Sequence, residues 1–332
     1  MPSAGATPTT GGDTIALPPG YTAQTFATGG ALTGPDDISR LDGNIYVAYQ
    51  NGVGAMGEPS PSGATASTLV EYSPAGTSLA RWNLTGKIDG MSADTANHRI
   101  VATVNEDGNS SLYTVTPGAT GPQVQHYAYT GLTHGGGTDA ISFVNGAMYV
   151  SASNPAPDAN GTTFSKPALY RVTLSGTTAT ATPVLRDNST AIDAGNGKPV
   201  TLNLSDPDSN EVIPAQAPQY AGDLLLTSQG DSEQIYLSNP GTPRQTATLV
   251  KLNTQVDDTA VTTGAGTLYV VDGATDKVIV ISGPFSAGQI FTSVPNDSKV
   301  NPGTLGDLDL KTGSVSPFGK GFGSPKGLLF LP

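Results

Sequence analysis

The stretch Gly34-Pro-Asp-Asp-Ile-Ser-Arg-Leu-Asp-Gly-Asn-Ile-Tyr-Val-Ala-Tyr-Gln-Asn51 places two carboxylates ahead of a short apolar strand and ends the next strand on an amide. The opening motif, Asp36-Asp-Ile-Ser39, recurs along the chain at steps of 47 to 71 residues. A recurring unit of about this size is typical of a repeat protein, in which each copy forms one supersecondary unit. The strong copies are Asp89-Gly-Met-Ser92, Asp139-Ala-Ile-Ser142 and Asp257-Asp-Thr-Ala260, and the weaker ones are Asn210-Glu-Val-Ile213 and Lys326-Gly-Leu-Leu329.

Each strong copy is followed by a turn and a second strand rich in β-branched and aromatic residues, such as Asn44–Tyr49 and Thr267–Val271. Third strands are recognisable, for example Lys277–Ile281, and polar fourth strands such as Leu79–Asn83 follow. A repeated unit of four antiparallel strands is a propeller blade. The sequence therefore predicts an all-β fold, a six-bladed β-propeller of four-stranded antiparallel blades, with five or seven blades left open.

Closure of this propeller would join Tyr21–Ala27 and Pro325–Leu331 in one blade, which removes an exposed sheet edge. Residues 284–320 then hold either an insertion in blade five or the missing strands of blade six. We expect a single propeller domain over residues 20–332, preceded by a disordered or extended lead-in at residues 1–19.

Composition excludes several functions. The formal charge of −12 opposes binding to nucleic acid and to anionic lipid, so a neutral or cationic ligand is favoured. No apolar run is long enough for membrane insertion. The chain has no Cys, which excludes thiolate chemistry, and only three His, which argues against a multi-histidine metal centre.

The start of the chain is small, polar and poor in Lys, which is typical of the segment that follows a removed signal peptide. We therefore expect a secreted, periplasmic or cell-surface protein.

In a propeller, the start of each first strand and the end of each second strand lie at one mouth of the central channel. Carboxylate and amide oxygens without His or Cys are the ligands of a hard cation, and a ring of them suits the flexible shell of Ca²⁺. The alternative is that these residues only accept backbone hydrogen bonds in turns. The sixth copy, Lys326, would place a cation in the ring. The predicted metal ligands are Asp36, Asp37, Asp89, Asn105, Asp139, Asn154 and Asp257.

His134 lies at the same predicted mouth, in Thr133-His-Gly-Gly-Gly-Thr-Asp139. A flexible Gly run could let its imidazole reach a substrate and act as general base. The alternative is an ordinary turn or surface histidine.

The segments Lys87-Ile-Asp-Gly-Met-Ser92, Asp42-Gly-Asn-Ile-Tyr-Val47 and Gly266-Thr-Leu-Tyr-Val270 resemble the blade signature of NHL-repeat propellers and of the gluconolactonase/strictosidine-synthase-like superfamily. The resemblance covers residues 20 to 332. It implies one catalytic divalent cation, usually Ca²⁺, at the channel mouth. The family typically has Glu on its first channel strand where this chain has Asp, and paraoxonase-like relatives add a His near the metal, which His134 could mimic. The positions similar to the family's ligands are Asp36 or Asp37, Asn105, Asn154 and Asp257.

Together these features predict a secreted propeller with a Ca²⁺-binding mouth that hydrolyses a neutral or cationic ester or lactone. The cation would polarise the carbonyl, and Asp257 or His134 would activate water. The alternative function is a non-catalytic propeller that binds a glycan, a peptide or a partner protein, as NHL-type propellers often do.

Overall fold

The computed structural model describes residues 15–121, 123–296 and 303–332, and nearly all regular structure in them is β-strand. Runs of β-branched and aromatic residues, interrupted by Gly, Asn and Asp turns, favour short strands over helices. Among the described residues the helical structure is one turn, at Thr95–Asn97. Within the same ranges, no helix has the length and apolar character to cross a membrane.

The strands are numbered in chain order. The first thirteen are β1 (Thr22–Thr28), β2 (Pro35–Leu41), β3 (Asn44–Tyr49), β4 (Ala66–Tyr72), β5 (Ser78–Thr85), β6 (Ile88–Asp94), β7 (Arg99–Val104), β8 (Ser111–Val115), β9 (Val124–Thr130), β10 (Ile141–Val144), β11 (Ala147–Ser151), β12 (Pro167–Ser175) and β13 (Thr178–Arg186). The others are β14 (Thr190–Asp193), β15 (Lys198–Thr201), β16 (Pro207–Val212), β17 (Leu224–Ser228), β18 (Glu233–Ser238), β19 (Thr246–Lys251), β20 (Thr259–Val261), β21 (Thr267–Asp272), β22 (Lys277–Ser282), β23 (Ile290–Val294), β24 (Thr304–Asp309), β25 (Ser314–Lys320) and β26 (Pro325–Leu331).

The strands form six four-stranded antiparallel blades, which confirms the predicted fold class. Blades one to four take their strands in chain order from the centre outward: β2–β5, β6–β9, β10–β13 and β16–β19. A hairpin, β14–β15, extends the outer edge of blade four, and the outer strands β9 and β13 pair in parallel. The innermost strands β2, β6, β10, β16, β20 and β26 contact their neighbours around a central channel.

Blades five and six exchange strands, which the sequence did not predict. Blade five is β20-β23-β24-β25, and blade six is β26-β21-β22-β1. The prediction that Thr267–Val271 and Lys277–Ile281 belong to blade five is therefore wrong, because that hairpin pairs with β26 and β1 of blade six. Residues 284–320 supply the three outer strands of blade five. The joining of both chain ends in one blade is confirmed.

The core lies between the blades. Six apolar clusters each fill the space between two neighbouring sheets, as expected for sheets that pack face to face. Between blades one and two, for example, Leu69 and Trp82 of blade one belong to one buried cluster with Ile100 and Tyr113 of blade two. The apolar side chains therefore pack between the blades, and the central channel is lined largely by polar groups.

The predicted lead-in at residues 1–19 lies largely outside the described residues. Of its described part, Ala16 pairs with Lys320 on the outer strand of blade five, through two backbone hydrogen bonds of 2.9 and 3.0 Å.

Candidate functional site

Every inner strand begins with a β-bulge at the repeated motif. In blade one, Pro35 pairs with Tyr49 but Ile38 pairs with Val47, so the inner strand has one residue too many. The same shift occurs in the registers of β6, β16 and β26. In blade three, the backbones of both Asp139 and Ala140 bond to Ser151, as two residues opposite one. A bulge turns a side chain away from the pleat, and here it directs the first motif residue into the channel.

The first bulged residues form a ring around the channel mouth, which we call the mouth ring. It contains five carboxylates and one ammonium group, consistent with the sixth copy predicted at Lys326. The ring opens into a channel cavity of about 720 Å³, a volume that suits a small ligand. Its members are Asp36, Asp89, Asp139, Asp208, Asp257 and Lys326.

Three carboxylates gather on one side of the mouth. Glu106, from the turn after β7, joins Asp139 and Asp208, and their oxygens lie within 4.8 Å of one another. Burial raises the pKa of Asp139 and Asp208 well above the ordinary value, and a hydrogen bond joins the two carboxyl groups. We call these three residues the carboxylate cluster. Together their oxygens form a site at which a proton and a cation would compete for binding.

Two lysines neutralise other parts of the ring. Lys87 Nζ lies 2.8 Å from Asp89 Oδ1 and also pairs with Glu106, while Lys326 Nζ lies 3.2 Å from Asp257 Oδ2. Burial lowers the pKa of Lys87, but the two carboxylates outweigh burial and hold that pKa above its ordinary value. The mouth is therefore unevenly neutralised: Glu106 of the cluster, Asp89 and Asp257 pair with lysines, whereas no ion pair among the described residues involves Asp139 or Asp208.

Asp36 lies in the field of both lysines. Burial raises the pKa of Asp36 to about 7, although Lys326 and Lys87 act to lower it. A carboxyl with such a pKa is partly ionised near neutrality and can accept a proton from water.

Asp37, one of the predicted ligands, occupies the second bulge position and ties two blades together. Its carboxylate accepts hydrogen bonds from the backbone N–H groups of Ile38, at 2.6 Å, and of Met91 in blade two, at 2.5 Å. Asp258 does the same between blades five and six, with Thr259 at 2.7 Å and Leu328 at 2.6 Å. These contacts match the turn chemistry named as the alternative to metal binding.

The two predicted asparagine ligands lie off the channel wall. Asn105 adopts a left-handed backbone conformation with φ of 70°. Its side chain accepts a hydrogen bond from Lys87 N–H at 3.0 Å and donates to Asn109 O at 3.0 Å. Asn154, with φ of 47°, is exposed. Both residues shape turns after second strands, so the structure does not bring them together with the mouth ring.

His134 is fully buried and does not line the channel. Its Nε2 donates to the carbonyl of Gly137 at 2.6 Å, and its Nδ1 lies 3.1 Å from the hydroxyl of Tyr170. Burial lowers the pKa of His134, so the ring is neutral and both nitrogens are engaged within the protein. The structure thus places His134 away from the residues that line the channel, and the predicted role of general base stays a prediction.

The Gly run beside His134 serves close packing. A Cβ at Gly137 would overlap the carbonyl oxygens of Asn105 and Glu106. We expect Gly137→Ala to lower the free energy of unfolding by about 2 to 4 kcal/mol, because backbone on both sides has no room to move. Urea denaturation measures this. Gly264→Ala, where a Cβ meets no atom within 4 Å, is the matched control, and equal stability of the two variants would contradict the expectation.

Two members of the carboxylate cluster were missed from the sequence. The fourth motif copy was aligned on Asn210, whereas the bulge begins at Pro207-Asp208, the same pair of positions as Pro35-Asp36 and Pro325-Lys326. The proline that precedes the ring position in these three copies is the sequence feature that could have aligned the fourth copy on Asp208. Glu106 follows the predicted Asn105 by one residue, and nothing in the repeat pattern distinguishes which of the two faces the channel.

No protein-family model matches this chain, and a search of curated proteins gave no match. Solved structures match over most of its length. A proposed gluconolactonase has 12% identity and a TM-score of 0.50, with 92% of this chain and 83% of the other covered. The periplasmic gluconolactonase PpgL of Pseudomonas aeruginosa has 11% identity and a TM-score of 0.51, with coverages of 90% and 88%. A Bacteroides thetaiotaomicron protein of unknown function has 10% identity and a TM-score of 0.51, with coverages of 95% and 70%.

At identities this low, the likeness concerns the backbone, and chemistry has to be argued from the side chains. The shared feature is the closed ring of four-stranded blades around a channel, over nine tenths of this chain. The chain therefore has the β-propeller fold of these solved structures.

Proposed function

We propose that this protein is a cation-dependent hydrolase of esters or lactones, with Ca²⁺ as the cation. The observation that supports this most is the carboxylate cluster, with oxygens of Glu106, Asp139 and Asp208 within 4.8 Å of one another at the mouth of a ligand-sized cavity. Two of the structurally similar proteins are described as gluconolactonases, which agrees with a lactonase-type reaction.

The cluster fits a hard divalent cation by its donor chemistry. All three donors are carboxylates, and carboxylate oxygens are the ligands of Ca²⁺. Their burial makes the ionised forms costly without a positive charge, which the lysines supply only to Glu106. A bound cation would polarise the ester carbonyl as a Lewis acid.

In this proposal Asp36 accepts the proton of the attacking water. Its pKa of about 7 suits a general base near neutral pH, and its neighbours Lys87 and Lys326 stabilise its ionised form. Asp257, predicted as catalytic, is paired with Lys326 and would hold that ammonium group at the mouth.

Cation affinity should rise with pH. The pKa of Asp139 is raised, so a cation has to displace the proton that Asp139 shares with Asp208. We expect tighter binding at about pH 8 than at about pH 6, with proton release on binding. Isothermal titration calorimetry in two buffers of different ionisation enthalpy measures both quantities, and a pH-independent affinity would contradict the expectation.

The function is tested by screening lactones and aryl esters with the purified protein in Ca²⁺ and in chelator. We expect hydrolysis that depends on the cation, and Asp36→Asn should lower kcat with little change in cation affinity. A protein that carries no cation and loses no thermal stability in chelator would contradict the proposal.

A second candidate is a non-catalytic propeller that binds a glycan, a peptide or a protein partner. The observation that favours it is the pairing of Asp89, Glu106 and Asp257 with lysines, since a partly neutralised ring is stable without a bound cation. Absence of hydrolysis in the screen, with retained ligand binding, would support this candidate.

Secretion or a periplasmic location is also our proposal. It agrees with the periplasmic location named for the Pseudomonas aeruginosa structure. The charge of −12 supports a neutral or cationic partner.

A further inference from the structure

The channel continues past the mouth ring, and its lower part has a different chemistry. The residues of this part include Ser39, Ser92 and Glu211, which are partly buried and line the cavity. Each of them follows the mouth-ring residue of its blade, in blades one, two and four, by three positions in the sequence. No ion pair joins these three to any residue in the described ranges. We call them the lower tier.

The lower tier offers unused hydrogen-bonding groups. In the described part of the chain, no protein hydrogen bond engages the hydroxyls of Ser39 and Ser92 or the carboxyl of Glu211, whereas the equivalent Ser142 donates to Asn210 O at 2.9 Å. Buried polar groups are normally paired. Groups left unpaired on the wall of a cavity are therefore available to whatever fills it.

Among the described residues, no Lys, Arg or His forms an ion pair with Glu211. Burial raises the pKa of Glu211 well above the ordinary value, with a further contribution from Asp258, whose carboxylate is held by two backbone N–H groups. The lower tier thus presents two hydroxyls and a carboxyl whose burial disfavours its charged form, which suits an uncharged polar group better than an anion.

Strand geometry gives the distance between the two sites. Asp208 and Glu211 are three residues apart on β16, and the bulge shortens that span. At a strand rise of about 3.3 Å per residue, the lower tier lies roughly 7 to 10 Å below the carboxylate cluster.

We propose that the lower tier is a ligand subsite, in which Glu211, Ser39 and Ser92 hydrogen-bond an uncharged amide or hydroxyl of the ligand. Under the proposed function, on which this assignment of substrate class rests, the substrate is an extended ester or lactone. It carries that group roughly 7 to 10 Å from the reacting carbonyl. The subsite selects by length and by polarity.

The first test compares two aryl esters of equal length. The p-nitrophenyl ester of N-acetyl-ε-aminocaproic acid places an amide at this distance, and the p-nitrophenyl ester of nonanoic acid places methylenes there. We expect the amide ester to have the higher kcat/KM, and Glu211→Ala combined with Ser92→Ala to reduce this preference roughly fivefold to twentyfold, mainly through KM. Glu211→Gln, which keeps a neutral hydrogen-bonding group, should retain most of the preference.

The second test does not need hydrolysis. Binding of the inert probe N-acetyl-ε-aminocaproamide is followed by ligand-observed NMR on the wild type, on Glu211→Ala and on Glu233→Ala. The last variant is the control, because Glu233 lies in the same blade outside the cavity. We expect only Glu211→Ala to weaken binding.

The two proposals fail separately. If no ester is hydrolysed but Glu211→Ala still weakens probe binding, the subsite stands and the hydrolase proposal fails. If esters are hydrolysed without preference for the amide, and Glu211→Ala leaves probe binding unchanged or the probe does not bind, the subsite is overturned.

Discussion

Replacing Asp208 by Asn is expected to lower the affinity for Ca²⁺ at least about 100-fold, because it removes one of three charged ligands from the carboxylate cluster. Cation-dependent hydrolysis should fall with it. Burial and, after it, the charge of Asp208 raise the pKa of Asp139, so the change should lower that pKa part of the way toward its ordinary value. Calorimetric titration with Ca²⁺ and rates of lactone hydrolysis at saturating substrate measure these effects.

Asp107→Asn is the matched control for this prediction. Asp107 is exposed, follows Glu106 directly in the chain and does not belong to the cluster. Its substitution by Asn therefore removes one negative charge near the cluster without removing a ligand. It should change Ca²⁺ affinity only slightly, through a screened surface charge. Equal losses in the two variants would show that overall charge, rather than a site at Asp208, attracts the cation.

Replacing Asp258 by Ala is expected to destabilise the fold by about 2 to 4 kcal/mol, because it leaves two backbone N–H groups without an acceptor. Leu328 and Thr259, which donate to it, are 7% and 1% exposed, so both N–H groups belong to largely buried residues. The contact joins β20 to β26 where the ring of blades closes. The free energy of unfolding from urea denaturation is the measurement.

Asp42→Asn provides the comparison, since Asp42 forms an exposed pair with His98 at 3.1 Å and Asn tolerates the left-handed backbone at this position, with φ of 50°. Exposed pairs of this kind contribute about 0 to 1 kcal/mol. If Asp258→Ala proved as harmless as Asp42→Asn, the tie between blades five and six would not contribute to closure.

Local sequence patterns were sufficient to predict the blades. Strands such as Asn44–Tyr49 follow from β-branched and aromatic residues between turns, and the spacing of the motif gave six copies. The ring positions Asp36, Asp89, Asp139 and Asp257, with Lys326 among them, were found in the same way. They were accessible because duplication repeats both the strand and the residue that opens it.

The candidate site was predicted less completely, because its chemistry depends on single side-chain directions. Asn105 and Glu106 are adjacent, yet only Glu106 reaches the cluster, since the left-handed backbone at Asn105 turns its amide toward the chain. The Gly run at His134 suggested freedom of movement. In the fold it allows two loops to meet, and it buries the imidazole.

Repetition of a short motif was enough to specify the blade, its strand count and an acidic channel mouth, because these follow from residues close together in the chain. Three features were decided only by packing between distant segments. Blades five and six exchange a hairpin because β21 pairs with β26 rather than with β20. Asp208 replaces Asn210 in the ring because the bulge starts at Pro207. The charges divide into a carboxylate cluster and lysine pairs because closure brings six blades to one axis, where a side chain's neighbours come from other blades.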